Sequence, residues 1–149
     1  KPPMPPLSEH YNRLTERLAG CVPADLLALA ARVGIGATFW LSGRTKVDGL
    51  LHVTPGAVEL FRDEFRLPVL PPELAAHLAA YAEHLFPLLL FAGLFTRFAA
   101  LTLLGMTLVI QVFVYPDAWP THLSWAALFL YLIRHGAGRL SVERLLNLK

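Results

Sequence analysis

The chain is expected to be all-α, a four-helix transmembrane bundle, and three observations predict this. Phe98 to Tyr115 carries no ionisable side chain before its terminal phenol, and three other stretches are nearly as apolar. Hydrophobic residues make up 55% of the sequence and charged residues only 16%, where soluble proteins carry about a quarter. Mean hydropathy is +0.50. A soluble helical bundle with a large core is the competing class. It would show a charged face on every helix, and Phe98 to Tyr115 shows none.

The expected spans are Ala24 to Gly43, Leu74 to Leu94, Phe98 to Tyr115 and Trp119 to Ile133, because about 20 apolar residues at 1.5 Å each cross a hydrocarbon core. The last is short, and Arg134 at one end with Trp119 and Tyr115 at the other can extend it into the interfaces. Residues 1–23 precede the membrane domain of residues 24–135. Ser8 is expected there to cap an amphipathic helix carrying Tyr11, Leu14 and Leu18 along the bilayer surface. Residues 44–73 form the long first loop, an external lid. In it Thr54 and Pro55 suit the N-cap and first position of a short helix presenting Val58, Phe61 and Phe65. The run Leu67 to Pro72 then stops that helix and starts the next span. Residues 136–149 form a tail in which Ser141 caps a second surface helix carrying Leu145, Leu146 and Leu148.

Charge sets the expected orientation. Lys1, Arg13, Arg17, Arg97, Arg134, Arg139, Arg144 and Lys149 lie at the termini and between the second and third spans. Arg44, Lys46, Arg62 and Arg66 of the first loop are offset by five carboxylates. Four spans place both termini on one side, and the positive-inside rule makes that side cytoplasmic. Length points to one domain with no room for a separate soluble catalytic one. A net charge of +2, scattered along the chain, gives no footing for nucleic acid. Cys21 is the only cysteine, so no disulfide or CxxC pair can form within the chain. A cleavable signal peptide is not expected in Lys1 to Pro23, whose start is polar and proline-rich.

Chemistry is sought among polar groups at membrane depth, where an ionisable side chain costs several kcal/mol unless it finds a partner or water. Arg32, Glu83 and His84 are the costly ones, and an Arg32–Glu83 salt bridge is expected between the first two spans. On the second span Glu73, His77, Tyr81, Glu83 and His84 fall within one broad arc, opposite Ala75, Leu78, Ala82, Leu85 and Leu89. Pro87 cannot donate to the carbonyl of Glu83. Thr107, Gln111 and Tyr115 recur every fourth residue on the third span as a polar ladder. With His77, Tyr81, His84 and His122 they form the candidate ligand pocket, opening to the exterior beneath the first loop.

Three readings of that pocket compete. His77, His84 and His122 could ligate a metal ion, although no compact motif such as HExxH is present. A quinone is the second: Trp40, Tyr81, Phe86 and Phe91 offer apolar surface, and a His with a Gln or Tyr could bond the head-group carbonyls. In the third these groups satisfy one another or ordered water. Ala30, Gly34, Gly36, Ala37 and Gly43 lie inside an apolar span and are read as close helix contacts.

The order Arg32-Val33-Gly34-Ile35-Gly36 through Phe39, then Ser42-Gly43 and Lys46, resembles the first helix of the DoxX family. Glu83, the run Gly93-Leu94-Phe95-Thr96-Arg97 and the run Gly136-Ala137-Gly138-Arg139-Leu140-Ser141 extend the resemblance over Ala30 to Leu145. Glu143 departs from it, standing where the family usually has Asp. The resemblance implies a four-helix protein of the bacterial inner (cytoplasmic) membrane, in a family named for the membrane subunit of a thiosulfate:quinone oxidoreductase. It implies a fold similar to vitamin K epoxide reductase, whose cysteine chemistry a chain with Cys21 alone cannot carry. Arg32, Lys46, Glu83 and Arg97 match recurrent family positions with no catalytic role to transfer, and the histidines lie outside the pattern.

The expected function is a non-catalytic or quinone-interacting subunit of a membrane redox system, working in the lipid bilayer with another polypeptide that supplies the catalytic centre. No motif here would hold a redox cofactor, so no catalytic residue is assigned. The alternatives are a small-solute or metal-ion transport component using the outer histidines, and a structural subunit of a larger membrane complex.

Overall fold

The computed structural model describes residues 6–149; Lys1, counted above among the cytoplasmic charges, lies outside the described residues. The chain is mostly helical. Helix α1 (Leu7–Gly20) is followed by α2 (Ala24–Arg44), a small hairpin of β1 (Val47–Asp48) and β2 (His52–Val53), and α3 (Pro55–Asp63). Then come α4 (Pro72–Ala92), α5 (Thr96–Val109) running into a π-helical turn at Ile110–Val114, α6 (Trp119–His135) and the short α7 (Val142–Leu145).

Among the described residues three helical segments are long and apolar enough to cross a membrane: Ala24–Arg44, Pro72–Ala92 and Thr96–Val114. The fourth, α6, has 17 residues and reaches about 26 Å, a little short of a core about 30 Å thick. It packs as a full member of the bundle all the same. Phe129 and Leu132 of α6 meet Ala31, Ile35 and Phe39 of α2, Leu90 of α4, and Ala99, Ala100 and Leu103 of α5 in one core. The outer surface carries Val33, Leu41, Leu85, Phe98, Leu101, Leu108, Leu123 and Leu130, all about half exposed or more. An apolar belt of that extent suits hydrocarbon rather than water.

Antiparallel α2 and α4 touch through small residues of α2. A methyl group on Gly43 would fall 2.8 Å from Glu83 Cβ, and one on Gly36 would fall 2.8 Å from a ring carbon of Phe91. These two contacts set the stagger of the helices. They leave Arg32 level with the C-terminal end of α4, about three turns, or roughly 15 Å, from Glu83. Gly36 and Gly43 are close contacts as expected, whereas Gly34 meets nothing within 4 Å and Ala30 is exposed.

The end of α4, the start of α5 and the chain after α6 are tied into a knot. Arg32, fully buried, donates through Nη1 to Leu90 O at 3.1 Å and Phe91 O at 3.4 Å, and through Nη2 to Leu140 O. A cation on the last carbonyls of a helix also meets the negative end of its dipole. Glu143 N donates to Gly93 O, Glu143 Oε1 accepts from Thr96 N, and Arg97 Nε donates to Ile133 O at 2.9 Å. Arg139 N bonds Asp25 Oδ1 at 2.9 Å, which brings the chain after α6 to the start of α2. The runs around Gly93 and Gly138 therefore build one end of the bundle.

The flanking elements differ from expectation in detail. In α1 the N-cap is Pro6, whose fixed extended backbone precedes the first turn, so Ser8 lies inside the helix instead of capping it. Leu7, Tyr11, Leu14 and Leu18 form its exposed apolar stripe, and α1 buries no residue. Ser141 does cap α7, accepting from Arg144 N at 3.3 Å, but α7 ends at Leu145, before Leu146 and Leu148. Thr54 caps α3 as expected, accepting from Ala57 N at 3.1 Å with Pro55 next in line.

Gly93 is the tightest point of the knot. Its φ is +69°, and a methyl group there would sit 2.5 Å from both Arg32 Nη1 and Ser141 Cβ. Gly93→Ala should therefore cost about 2 kcal/mol or more, read as a lowered unfolding temperature in detergent, while Gly34→Ala, with open space around it, should change little.

Candidate functional site

The long first loop folds down onto the bundle instead of standing off it. Arg44 at the end of α2 bonds Leu50 O and Gly49 O, both at 2.8 Å, and so closes the hairpin in which Val47 pairs with Val53. Val47, Val53, Ala57 and Phe61 then pack on Ala75, Ala76 and Ala80 of α4 in a second core. At the far edge Phe65 meets the Tyr115 ring edge-on at 5.6 Å, and the Tyr115 hydroxyl donates to Glu64 Oε1 at 3.1 Å. Tyr115 lies just beyond the third span. Its phenol is pushed above the ordinary value, by partial burial first and then by donation to the Glu64 carboxylate and by its charge.

Beneath this lid lies a cavity of about 450 Å³. Its walls are Phe61, Phe65 and Leu67 of the lid segment, Leu78, Ala79 and Ala82 of α4, and Met106, Val109 and Ile110 of the third span. Among its lining residues Leu78, Val109, Leu70 and Tyr115 are 51%, 40%, 39% and 45% exposed. Its polar lining residues include the mutually bonded Ser42, Lys46 and Glu83, the His122–Trp125 pair with ring centroids 5.2 Å apart, and Tyr115.

The expected Arg32–Glu83 bridge is not made. The helix stagger puts Arg32 in the knot described above, and Glu83 takes Lys46 instead, with Nζ 2.9 Å from Oε2. Lys46 lies just past the end of α2 and is 8% exposed. Its stem runs back along the helix, and its ammonium also reaches Ser42 Oγ at 3.0 Å and Ser42 O at 3.3 Å. Ser42 Oγ donates in turn to Glu83 Oε1 at 3.1 Å. The sequence held one signal for this trio: Ser42 and Lys46 are four apart, a spacing that lets a lysine reach back to the serine.

The other expected pocket residues separate. Tyr115 and His122 line the cavity. His84 is buried behind it, with Nδ1 donating to Ala80 O at 2.6 Å, Nε2 3.5 Å from Arg44 Nη1, and its ring 5.0 Å from Trp40. His77 donates to Glu73 O at 2.7 Å and meets Tyr81, which is exposed, edge-on at 5.9 Å on the outside of α4. The arc drawn on α4 is thus shifted, because Ala75, Ala76 and Ala80 are the small residues that let lid and bundle approach. Tyr81, expected inside, faces out, and Ala75, expected outside, is buried.

The polar ladder on the third span also comes apart. Thr107 is buried and donates to Leu103 O of its own helix at 2.8 Å. The π turn, closed by Tyr115 N to Ile110 O at 2.8 Å, inserts a residue and breaks the every-fourth spacing. Gln111 then bridges Pro116 O and His122 Nδ1. His77, His84 and His122, the histidines considered for metal, do not converge. Among the described residues no three His, Cys, Asp or Glu side chains do.

A double-mutant cycle separates the two charged sites. Glu83→Gln or Lys46→Met alone should cost about 3–5 kcal/mol in detergent unfolding, by stranding a buried charge. The double variant Lys46→Met with Glu83→Leu should recover much of that loss. Arg32→Met should add to Glu83→Gln without coupling, as distant sites do; coupling between Arg32 and Glu83 would contradict the geometry.

The DoxX family model matches residues 27–116, which hold most of α2, the lid, α4, the third span and the Ser42–Lys46–Glu83 cluster. A protein of Haemophilus influenzae described as "Uncharacterized protein" is 32% identical over 96 residues. The match covers 58% of this chain and 64% of that protein, so the chain spans less than two thirds of that relative's length. No solved structure matches the chain. With more than half of its length inside the family model and its long helices apolar, this is a multi-pass membrane protein, and the chain belongs to the DoxX family.

Proposed function

We propose that the chain is a four-span protein of the bacterial inner membrane, an accessory subunit of a redox system that binds a quinone-type amphiphile in the cavity beneath its lid. One observation carries this reading: a mostly apolar cavity about the size of a small ligand site, with the bonded Ser42–Lys46–Glu83 cluster and His122 among its lining residues. An amphiphile already dissolved in the bilayer would enter between α4 and the third span, leave its tail among Leu78, Met106 and Val109, and bring its head to Ser42, Lys46, Glu83 and His122. The chain's part is to bind and orient. The electron-transferring centre belongs to a partner polypeptide in the same membrane.

Both termini are cytoplasmic in this reading. The end that joins the start of α2 to the chain after α6 also carries Arg13, Arg17, Arg97, Arg134, Arg139 and Arg144, and the positive-inside rule sends it to the cytoplasm. The lid then faces the exterior.

Two measurements test these statements. Organic extraction of protein purified in mild detergent should yield a quinone or quinol by mass spectrometry at close to one per chain. Ala82→Phe, which fills the cavity from α4, should remove it without loss of the folded state. In right-side-out membranes, native Cys21, exposed in the fold, should resist an impermeant maleimide until the membrane is opened. Leu50→Cys in a Cys21→Ser background should react at once. The reverse pattern would invert the topology.

A further inference from the structure

Among the described residues nothing covers the apolar stripe of α1. The helix has 14 residues, none of them buried, and Leu7, Tyr11, Leu14 and Leu18 are each more than half exposed. A lone helix of that length is marginal in water, because helical stability comes mostly from packing an amphipathic face. The stripe therefore calls for a partner outside the folded bundle.

The distribution of side chains around α1 tells what kind of surface it meets. At about 100° per residue, the four apolar side chains fall within an arc of about 60°. His10 and Arg17 border one edge of that arc with Arg13 beside them, whereas Glu9 and Glu16 lie on the opposite face of the helix. The stems of the arginines let their guanidinium groups reach down alongside an apolar face, and the carboxylates point away from it. Such a segregation of apolar, basic and acidic residues suits a helix lying in the plane of an acidic membrane surface.

Connectivity selects the bilayer over a groove in another protein. Only Cys21, Val22 and Pro23 separate α1 from α2, and three residues reach about 10 Å at most. The C-terminal end of α1 is thus held at the level where α2 enters hydrocarbon. Leu18, Val22 and Leu26, all more than half exposed, carry an apolar surface from α1 onto the lipid-facing side of α2. The tail adds positive charge at the same end: Arg139 N bonds Asp25 Oδ1 beside the start of α2, and the Arg139 side chain is exposed.

We infer that α1 is an interfacial helix docked on the bilayer surface, its apolar stripe below the head groups and its arginine edge on the phosphates of acidic phospholipids. The inference is independent of what the cavity binds and of which face of the membrane the termini occupy.

The test uses the full chain in a Cys21→Ser background, carrying one nitroxide label at Leu14→Cys or at Glu16→Cys. Each is reconstituted in vesicles of phosphatidylethanolamine with phosphatidylglycerol, or of phosphatidylcholine alone. Oxygen, which concentrates in hydrocarbon, and a water-soluble nickel chelate are compared as relaxants of the label. In the acidic vesicles oxygen should dominate at position 14 and nickel at position 16. Arg13→Gln combined with Arg17→Gln should lower the docked-to-free ratio of α1 about tenfold, and phosphatidylcholine should lower it likewise. A nickel-accessible label at position 14 in acidic vesicles overturns the docking. Contrast between the two positions that is unchanged in phosphatidylcholine, or unchanged without the arginines, overturns the part played by acidic lipid. Dipolar broadening between labels at position 14 that disappears on dilution with unlabelled chain assigns the stripe to a second copy and overturns the inference.

Discussion

A charged group inside hydrocarbon has no water to fall back on, so every such side chain in this bundle must find its counterpart within the chain. The architecture follows from how two of them do so. Arg32 is surrounded by carbonyls: the last turn of α4, where the helix dipole is negative, and the backbone after α6. To reach them it needs α4 to end at Gly93 and the tail to fold back over that end. One guanidinium thereby gathers α2, α4 and the chain beyond α6, and the neighbouring bonds of Thr96, Arg97 and Glu143 lock the start of α5 into the same arrangement.

The second site is built differently. Glu83 lies well inside α4, and its countercharge arrives from past the end of α2, on a lysine whose flexible stem lets the ammonium reach inward. Ser42 joins the two. The Arg32 contacts run to backbone carbonyls and hold helices together, whereas the Lys46–Glu83 pair joins two side chains that line a cavity. The lid suits this arrangement. Arg44 and the hairpin bring Phe61 and Phe65 over the cavity, and the contacts of Tyr115 with Phe65 and Glu64 close its far side. The bonded Ser42, Lys46 and Glu83 thereby line an otherwise mostly apolar chamber.

Several features were legible in the residues because their causes are local. Thr54-Pro55 starts a helix wherever such a pair stands before a helical run, and Ser141 caps the tail helix by the same short-range logic. The long apolar runs specify helices, since lipid leaves the backbone no other way to satisfy itself within a segment. Of the polar residues singled out on the third and fourth helical segments, Tyr115 and His122 line the cavity, as do Phe61 and Phe65 of the first loop. Elements that depend on two segments meeting at a given height were not legible. The Val47–Val53 hairpin is too short to show a pattern. The π turn at Ile110–Val114 has no distinguishing composition, yet by shifting the helix one residue it sends Gln111 to His122 and Tyr115 to the lid.

The sequence by itself determined the solvent of this protein, its long helical segments, and which side chains would be costly to bury, because these depend on the residues of one segment and their spacing. Which costly groups meet was decided only by the tertiary structure. Arg32 and Glu83 count as neighbours in depth if helices are laid side by side from their ends, but the contacts at Gly36 and Gly43 slide α2 along α4 until Glu83 lies near Ser42 and Lys46. A hydrogen-bonded ion pair needs its atoms within about 3 Å, and a stagger of about three helical turns keeps Arg32 and Glu83 out of that reach whatever their charges favour.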